Sequence, residues 1–222
     1  MRLRLKGREG PMIYEMRTYT MHAGKMPAYL KAAETIGRPA RGDNYGMNHG
    51  YWTSEFGQVN QIWHLWSYPS LDERDRLRGE LQKNPKWTGE YVPAIRDLII
   101  RQDLQIWNAV VDYKQPTAEG NVYELRTYRT HLGQARPWAN LMKEYLPARE
   151  KYSPIHGLWT GEFPQPNSVA HMWVYKDLAA RTAARAGASK DPKWQEFLGK
   201  GGPMLAEMHS VLLLPTSYSK SK

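Results

Sequence analysis

The chain has 222 residues, a formal net charge of +9, no cysteine, and nine Trp and fourteen Tyr against three Phe. Without cysteine there is no disulfide framework and no thiolate chemistry, and no run of 18 or more apolar residues offers a membrane span. Nor does the charge form a nucleic-acid surface: Arg2, Arg4, Lys6 and Arg8 against Glu9 leave +3 in the first eleven residues, Lys220 and Lys222 add two, and the rest is mixed with acids without a basic stripe.

Residues 1–11 lack the apolar core and cleavage site of a secretory signal and are assigned as a basic tail, with the cytoplasm as the expected compartment. Ile13 to Thr20 then alternates with period two, Tyr14, Met16 and Thr18 on one face and Glu15, Arg17 and Tyr19 on the other, which predicts a strand. Gly24 and Pro27 open a helix of roughly 12 residues that Gly37, Pro39 and Gly42 should end. Tyr51–Phe56 and Gln61–Tyr68, joined through Gly57, predict an antiparallel hairpin. Ser70 with Glu73 is a capping box for a helix running to Pro85, and Leu98–Ile106 completes the unit as a strand.

After the polar segment 112–121 the pattern returns. Tyr14-Glu-Met-Arg-Thr-Tyr19 becomes Tyr123-Glu-Leu-Arg-Thr-Tyr128, and the Gly50–Asn60 hairpin becomes Gly157–Asn167. His64-Leu-Trp66-Ser-Tyr68 becomes His171-Met-Trp173-Val-Tyr175, and Asn84-Pro-Lys-Trp87 becomes Asp191-Pro-Lys-Trp194. In this copy Trp138, Leu141, Met142 and Tyr145 share one helical face, Pro164 and Pro166 mark the hairpin turn, Asp177 caps a helix running to Pro192, and His209–Leu214 is the last strand. A unit of this size is a domain rather than a solenoid repeat. The predicted organisation is a tail 1–11, a first repeat 12–111, a linker 112–121, a second repeat 122–215 and a tail 216–222.

Two βαββαβ units make this an α+β protein of ferredoxin-like domains. Each four-stranded sheet carries helices on one side and leaves the other side bare. Packing the two bare faces together gives an α/β barrel, closed either within the chain or between chains, in which case the protein is a homodimer or larger homo-oligomer.

Six of the seven histidines pair between the copies: His22 with His131, His49 with His156, His64 with His171. Within one unit His22 and His49 fall at opposite ends of the sheet, and no His-x-His or His-x-x-x-His spacing occurs, so no metal site is expected. Gly-x-Ser-x-Gly, P-loop and Gly-x-Gly-x-x-Gly motifs are also lacking. Trp52, Trp159, Trp87 and Trp194 are assigned to packing. The third strands put His64, Trp66 and Tyr68, and His171, Trp173 and Tyr175, on one face. The opposite face (Trp63, Leu65, Ser67; Ala170, Met172, Val174) reads as the better partner for helices. The same logic turns Glu15, Arg17 and Tyr19, with Glu124, Arg126 and Tyr128, toward the barrel interior. There His64 and His171 would serve as bases and Arg17 and Arg126 would hold oxyanion charge, while Glu15, Tyr19, Trp66, Tyr68, Glu124, Tyr128, Trp173 and Tyr175 would contact the ligand. The competing reading is a purely structural polar network in which Glu15, Arg17 and the tyrosines tie the two sheets together.

The opening Tyr-Glu-Leu-Arg-Thr-Tyr strand, the Gly-x-Trp-x-x-Glu-Phe-x-x-x-Asn hairpin and the His-x-Trp-x-Tyr strand leading to Arg74 or Arg181 together resemble the NIPSNAP family. The resemblance spans about 12–110 and 121–215 and implies the dimeric α/β-barrel fold. The family has no single established activity. Animal members are associated with mitochondria, vesicle traffic and mitophagy signalling, which implies a mitochondrial address for a eukaryotic source and, as one alternative, a non-catalytic adaptor acting through its outer surface. Fold relatives include cofactor-independent monooxygenases, isomerases and heme enzymes. The reading taken is a small-molecule-binding barrel for an aromatic or carbonyl-containing ligand, with cofactor-independent oxygenase or isomerase chemistry. No cofactor is expected; heme on a single axial His is the second alternative.

Overall fold

The computed structural model describes residues 12–222; the basic tail assigned to 1–11 lies outside the described residues. The first repeat contains β1 (Ile13–Met21), α1 (Met26–Ala32), α2 (Arg38–Arg41), β2 (Met47–Phe56), β3 (Gln61–Tyr68), α3 (Leu71–Gln82), α4 (Val92–Arg96) and β4 (Ile99–Val111). The second contains β5 (Val122–Thr130), α5 (Ala135–Arg149), β6 (Ile155–Phe163), β7 (Ser168–Tyr175), α6 (Leu178–Ala188), α7 (Pro192–Gly201) and β8 (Leu205–Pro215). Within each repeat the first strand lies between the third and the fourth, the ferredoxin-like order.

The two sheets join at both edges. β2 pairs with β8 and β4 with β6, so the eight strands form one closed ring, β1-β3-β2-β8-β5-β7-β6-β4, within a single chain. Closure removes every sheet edge, which is the full solution to the edge-strand problem.

Alternation along the strands is as predicted, but the face turned inward is the opposite one. Tyr14, Met16, Leu65, Tyr123, Leu125, Ala170, Met172 and Val174 form one buried cluster with Trp52, Trp107, Trp159 and Leu213, drawn from both repeats, and this fills the barrel. Tyr14 meets Trp159, and Trp52 meets Tyr123, across the repeat boundary. The Glu-Arg-Tyr and His-Trp-Tyr faces lie under the helices: Glu15 is bonded to Arg74 of α3, Glu124 to Arg181 of α6, and the Arg41 guanidinium lies 3.3 Å from the Trp66 ring centre. A closed barrel has no solvent and no second set of charges to satisfy buried ions, so it takes the apolar stripe. Helix arginines can reach and neutralise the carboxylates on the outer face.

Close packing of the core explains one retained pair of glycines. A Cβ on Gly50 would sit 2.4 Å from the Trp52 ring, and one on Gly157 2.2 Å from Trp159, so each indole lies over the glycine two residues before it. Asn60 and Asn167, at the matching turn position, both adopt positive φ, 60° and 56°; Asn accepts this conformation more readily than most residues.

Several boundaries differ from the sequence reading. The first helix does not end at Gly37. It continues through a π-helical turn, Ala33–Gly37, into α2, and a second π-turn, Trp87–Tyr91, leads into α4. Each π-turn stands just before the proline of the next helix, Pro39 or Pro93, where a regular α-helical ladder would lack an N–H. The prolines expected to end the second crossover instead start a further helix. Asp191 caps α7 by accepting from Lys193 and Trp194 N–H, with Pro192 in its first turn. Residues 216–222 pack on the first repeat, where the Tyr51 N–H donates to Ser219 Oγ and Ser221 Oγ donates to the His49 carbonyl.

Candidate functional site

The inversion of faces moves the candidate site from the barrel interior to the gap between each sheet and its own helices. In the first repeat a ladder row across three strands sets Arg17, His64 and Tyr51 side by side. Below α1–α2 and the Trp87–Ile95 segment these side chains border a cavity of about 470 Å³. Its walls carry five arginines, Arg17, Arg41, Arg78, Arg96 and Arg101, with Tyr19, Tyr29, Tyr51, Tyr91, His64 and Trp87, and no carboxylate.

Behind the wall lies a buried ion network. Glu15, fully buried, accepts from Arg17 Nη1 at 2.9 Å and from Arg74, while Arg17 Nε donates to the Tyr19 hydroxyl at 2.8 Å. Burial alone would raise the Glu15 carboxyl, but Arg17, Arg74 and Arg78 outweigh it and hold it below its ordinary value. The second repeat repeats the network: Glu124 accepts from Arg126, Arg181 and Ser210, and against the cost of burial these hold it at about 2. Each network binds a sheet to its own helix, not one sheet to the other as the structural reading had it.

His64 is fixed from below. Trp66 Nε1 donates to His64 Nδ1 at 2.6 Å, and in the second repeat Trp173 Nε1 donates to His171 Nδ1 at 2.7 Å. An indole N–H can only donate, so Nδ1 must present its lone pair and Nε2 of the neutral ring carries the proton. Burial first, then the positive field of Arg17, Arg41 and Arg78, pushes the His64 pKa well below its ordinary value and keeps the ring neutral. His64, on the cavity wall, therefore carries a neutral N–H donor, a buried Nε2 without a partner among the described residues. This corrects the expected role of general base, which would need an Nε2 lone pair. The same tautomer does not fit an axial heme ligand, which must offer that lone pair to the metal.

Of the residues singled out from sequence, Arg17, Tyr19 and His64 line the first cavity, and Tyr128 and His171 line its counterpart in the second repeat. Of the remaining seven, Tyr68 lines a separate cavity beside Leu77, and the others stand behind the walls. Glu15, Glu124 and Arg126 belong to the ion networks. Trp66 and Trp173 orient the imidazoles, and the Tyr68 and Tyr175 hydroxyls accept from Arg41 and Arg149. Sequence reasoning missed Arg41 and Arg78. Arg41 and Arg149 are counterparts, each stacked on the tryptophan of the His-x-Trp strand, with Arg149 4.3 Å from Trp173. They end α2 and α5 and are 108 positions apart, between the Tyr14/Tyr123 match at 109 and the His64/His171 match at 107, which hid the correspondence. Arg78 makes no hydrogen bond or ion pair with any described residue, and burial, then the charge of Arg17, lowers its pKa.

The NIPSNAP family profile matches residues 14–112 and 123–220, one match to each repeat. The chain belongs to the NIPSNAP family. A NipSnap homologue of Dictyostelium discoideum is 30% identical over 210 residues, covering 91% of this chain and 87% of that protein. Human NipSnap homolog 3A is 28% identical over 218 residues, covering 95% and 86%. Among solved structures, a monooxygenase-like protein of Fusobacterium nucleatum superposes with a TM-score of 0.71 at 13% identity, over 96% of this chain and 95% of its own; at that identity the likeness is one of fold. No helix among the described residues of this NIPSNAP chain is long and apolar enough to cross a membrane.

Proposed function

We propose that the first-repeat cavity binds a small planar anion, a carboxylate, phenolate or enolate, and that any catalysis there proceeds by holding oxyanion charge. The observation that carries this reading is the wall itself: five guanidinium groups and one neutral imidazole N–H around about 470 Å³, with no carboxylate among them. Guanidinium pairs match planar anions bidentately, tyrosine and tryptophan rings suit a flat ligand, and an uncharged imidazole donor aimed at developing negative charge is an electrophilic device. A cofactor-independent oxygenase or isomerase passes through such an enolate or phenolate. With His64 unable to act as base and no carboxylate on the wall, the substrate would arrive already ionised or lose its proton to water, which favours acidic phenols and 1,3-dicarbonyls.

The test is a titration with 4-nitrophenol, whose absorbance reports its ionisation. Binding should favour the phenolate and move its ionisation to lower pH. Arg78→Gln, which disturbs no ion pair, should weaken phenolate binding about tenfold or more, in keeping with the loss of a charge-assisted contact. Absence of saturable binding, or equal binding by the variant, would overturn the reading.

A further inference from the structure

The matching cavity of the second repeat, about 480 Å³, has another character. Met142, Phe197, Leu198, Leu205 and the Trp194 ring supply most of its wall, and no arginine or lysine lines it. Two of the residues that line it carry a buried N–H group without a partner among the described residues, Trp138 at Nε1 and His171 at Nε2. Trp138 is 2% and His171 4% exposed, and their ring centres lie 5.7 Å apart. Both groups are donors, the indole by nature and His171 because Trp173 occupies its Nδ1. The Tyr128 hydroxyl, also on the wall, already accepts from Arg126. Gly201 helps keep the indole N–H reachable, since a Cβ there would stand 3.1 Å from Trp138 Nε1.

An isolated water is a poor occupant. Its oxygen could accept from both donors, but among the buried side chains of the wall its hydrogens would find only the Tyr128 hydroxyl, which already accepts from Arg126, and buried waters usually make about three hydrogen bonds. A ligand oxygen that only accepts, attached to an apolar body, answers both the donors and the lining. An anion finds no cation on this wall and would meet Glu207 at the rim.

We propose that this cavity is a second ligand site, independent of the first, for an uncharged apolar molecule bearing one hydrogen-bond-accepting oxygen, such as a ketone or an ester. Each repeat then handles its own ligand: the first a planar anion, the second a neutral carbonyl compound.

Prodan, an uncharged naphthyl ketone whose emission reports both the polarity around it and hydrogen bonding to its carbonyl, is the probe. The intact protein should bind it saturably, with emission shifted to the blue of that in water. Ala206→Trp, at an exposed position on the cavity rim, should weaken binding about tenfold or more by blocking entry. His171→Phe keeps the ring and removes one donor. It should weaken binding about three- to tenfold, the size of one lost hydrogen bond, and move the bound emission further to the blue. Arg78→Gln, in the other cavity, should leave Prodan affinity unchanged. If circular dichroism shows His171→Phe misfolded, Gly201→Ala, which crowds the Trp138 N–H, replaces it with the same expected direction. The proposal falls if Prodan shows no saturable binding, if Ala206→Trp and the donor variant bind it like wild type, or if Arg78→Gln abolishes the signal. The first two results leave phenolate binding by the first cavity untouched, and the third would place Prodan in that cavity instead.

Discussion

The two repeats agree where sheet meets helix network and disagree where each opens a cavity. Both keep a Glu–Arg–Tyr row clamped by a helix arginine, an imidazole oriented by an indole, and a guanidinium over that indole. Around those constants the walls diverge. In the row across the sheet, Tyr51 beside His64 is replaced by Leu158 beside His171. At matching rim positions, opposite Thr20 and opposite Arg129, stand Arg101 and Glu207. The π-turn that carries Trp87 and Tyr91 into the first wall has no counterpart in α5, α6 or α7. Retention thus marks the framework, and divergence is concentrated in the cavity walls. A residue kept in both copies is not for that reason at a binding surface.

The framework half of this comparison can be broken most sharply at the buried carboxylates. Removing Glu15 leaves Arg17 without a carboxylate and Arg74 with only the exposed Asp75, and removing Glu124 strands Arg126 and Arg181, so each alanine variant should lose about 3–5 kcal/mol of stability in urea unfolding. Similar losses in the two repeats would sustain the symmetry of the framework; a loss in one repeat only would end it.

Acid should act next most strongly. Burial first, then neighbouring arginines, lowers the pKa of His64 and His171, and burial with Lys220 takes His49 to about 4. The unfolded chain takes up these protons near pH 6.5 while the folded chain resists them, so the unfolded state binds more protons. Stability is then fully present above about pH 6.5 and falls as pH drops below it, by up to about 1.4 kcal/mol per pH unit for each buried ring. Urea midpoints measured across this range should lose part of that slope in His64→Phe and an equal part in His171→Phe. An unchanged slope in either variant would show that its ring charges freely in the folded state.

The smallest effect sharpens the cavity half. Arg101→Glu gives the first rim the charge found on the second. Phenolate binding should weaken about three- to tenfold at low ionic strength, and less with added salt, because the side chain acts through solvent. Affinity that ignores both the substitution and the salt would remove the rim from ligand selection.

Much of the fold was legible because duplication exposed it. The period-two strands, the Ser70 and Asp177 caps and the βαββαβ order all follow from local pattern and turn chemistry, and the helix caps are where expected. The inward face was misjudged because alternation says which residues share a side and not which side faces the helices. Trp63, Leu65 and Ser67 look no more suited to a barrel interior than His64, Trp66 and Tyr68 do. The deciding information lay on other elements: Arg74, Arg181, Arg41 and Arg149, which reach the carboxylates, indoles and tyrosines only once the helices have docked. The imidazole tautomer was equally hidden, although His-x-Trp on one strand face puts an indole donor within reach of the ring and could have suggested it.

Closure of the eight-stranded ring also governs how the chain can acquire its structure. Trp52 must find Pro215, and Ile106 must find Phe163, before either sheet loses its open edges. Pairings so distant in sequence make for slow folding. While synthesis proceeds, the first repeat waits with both flanks unsatisfied and prone to self-association until the last strand emerges.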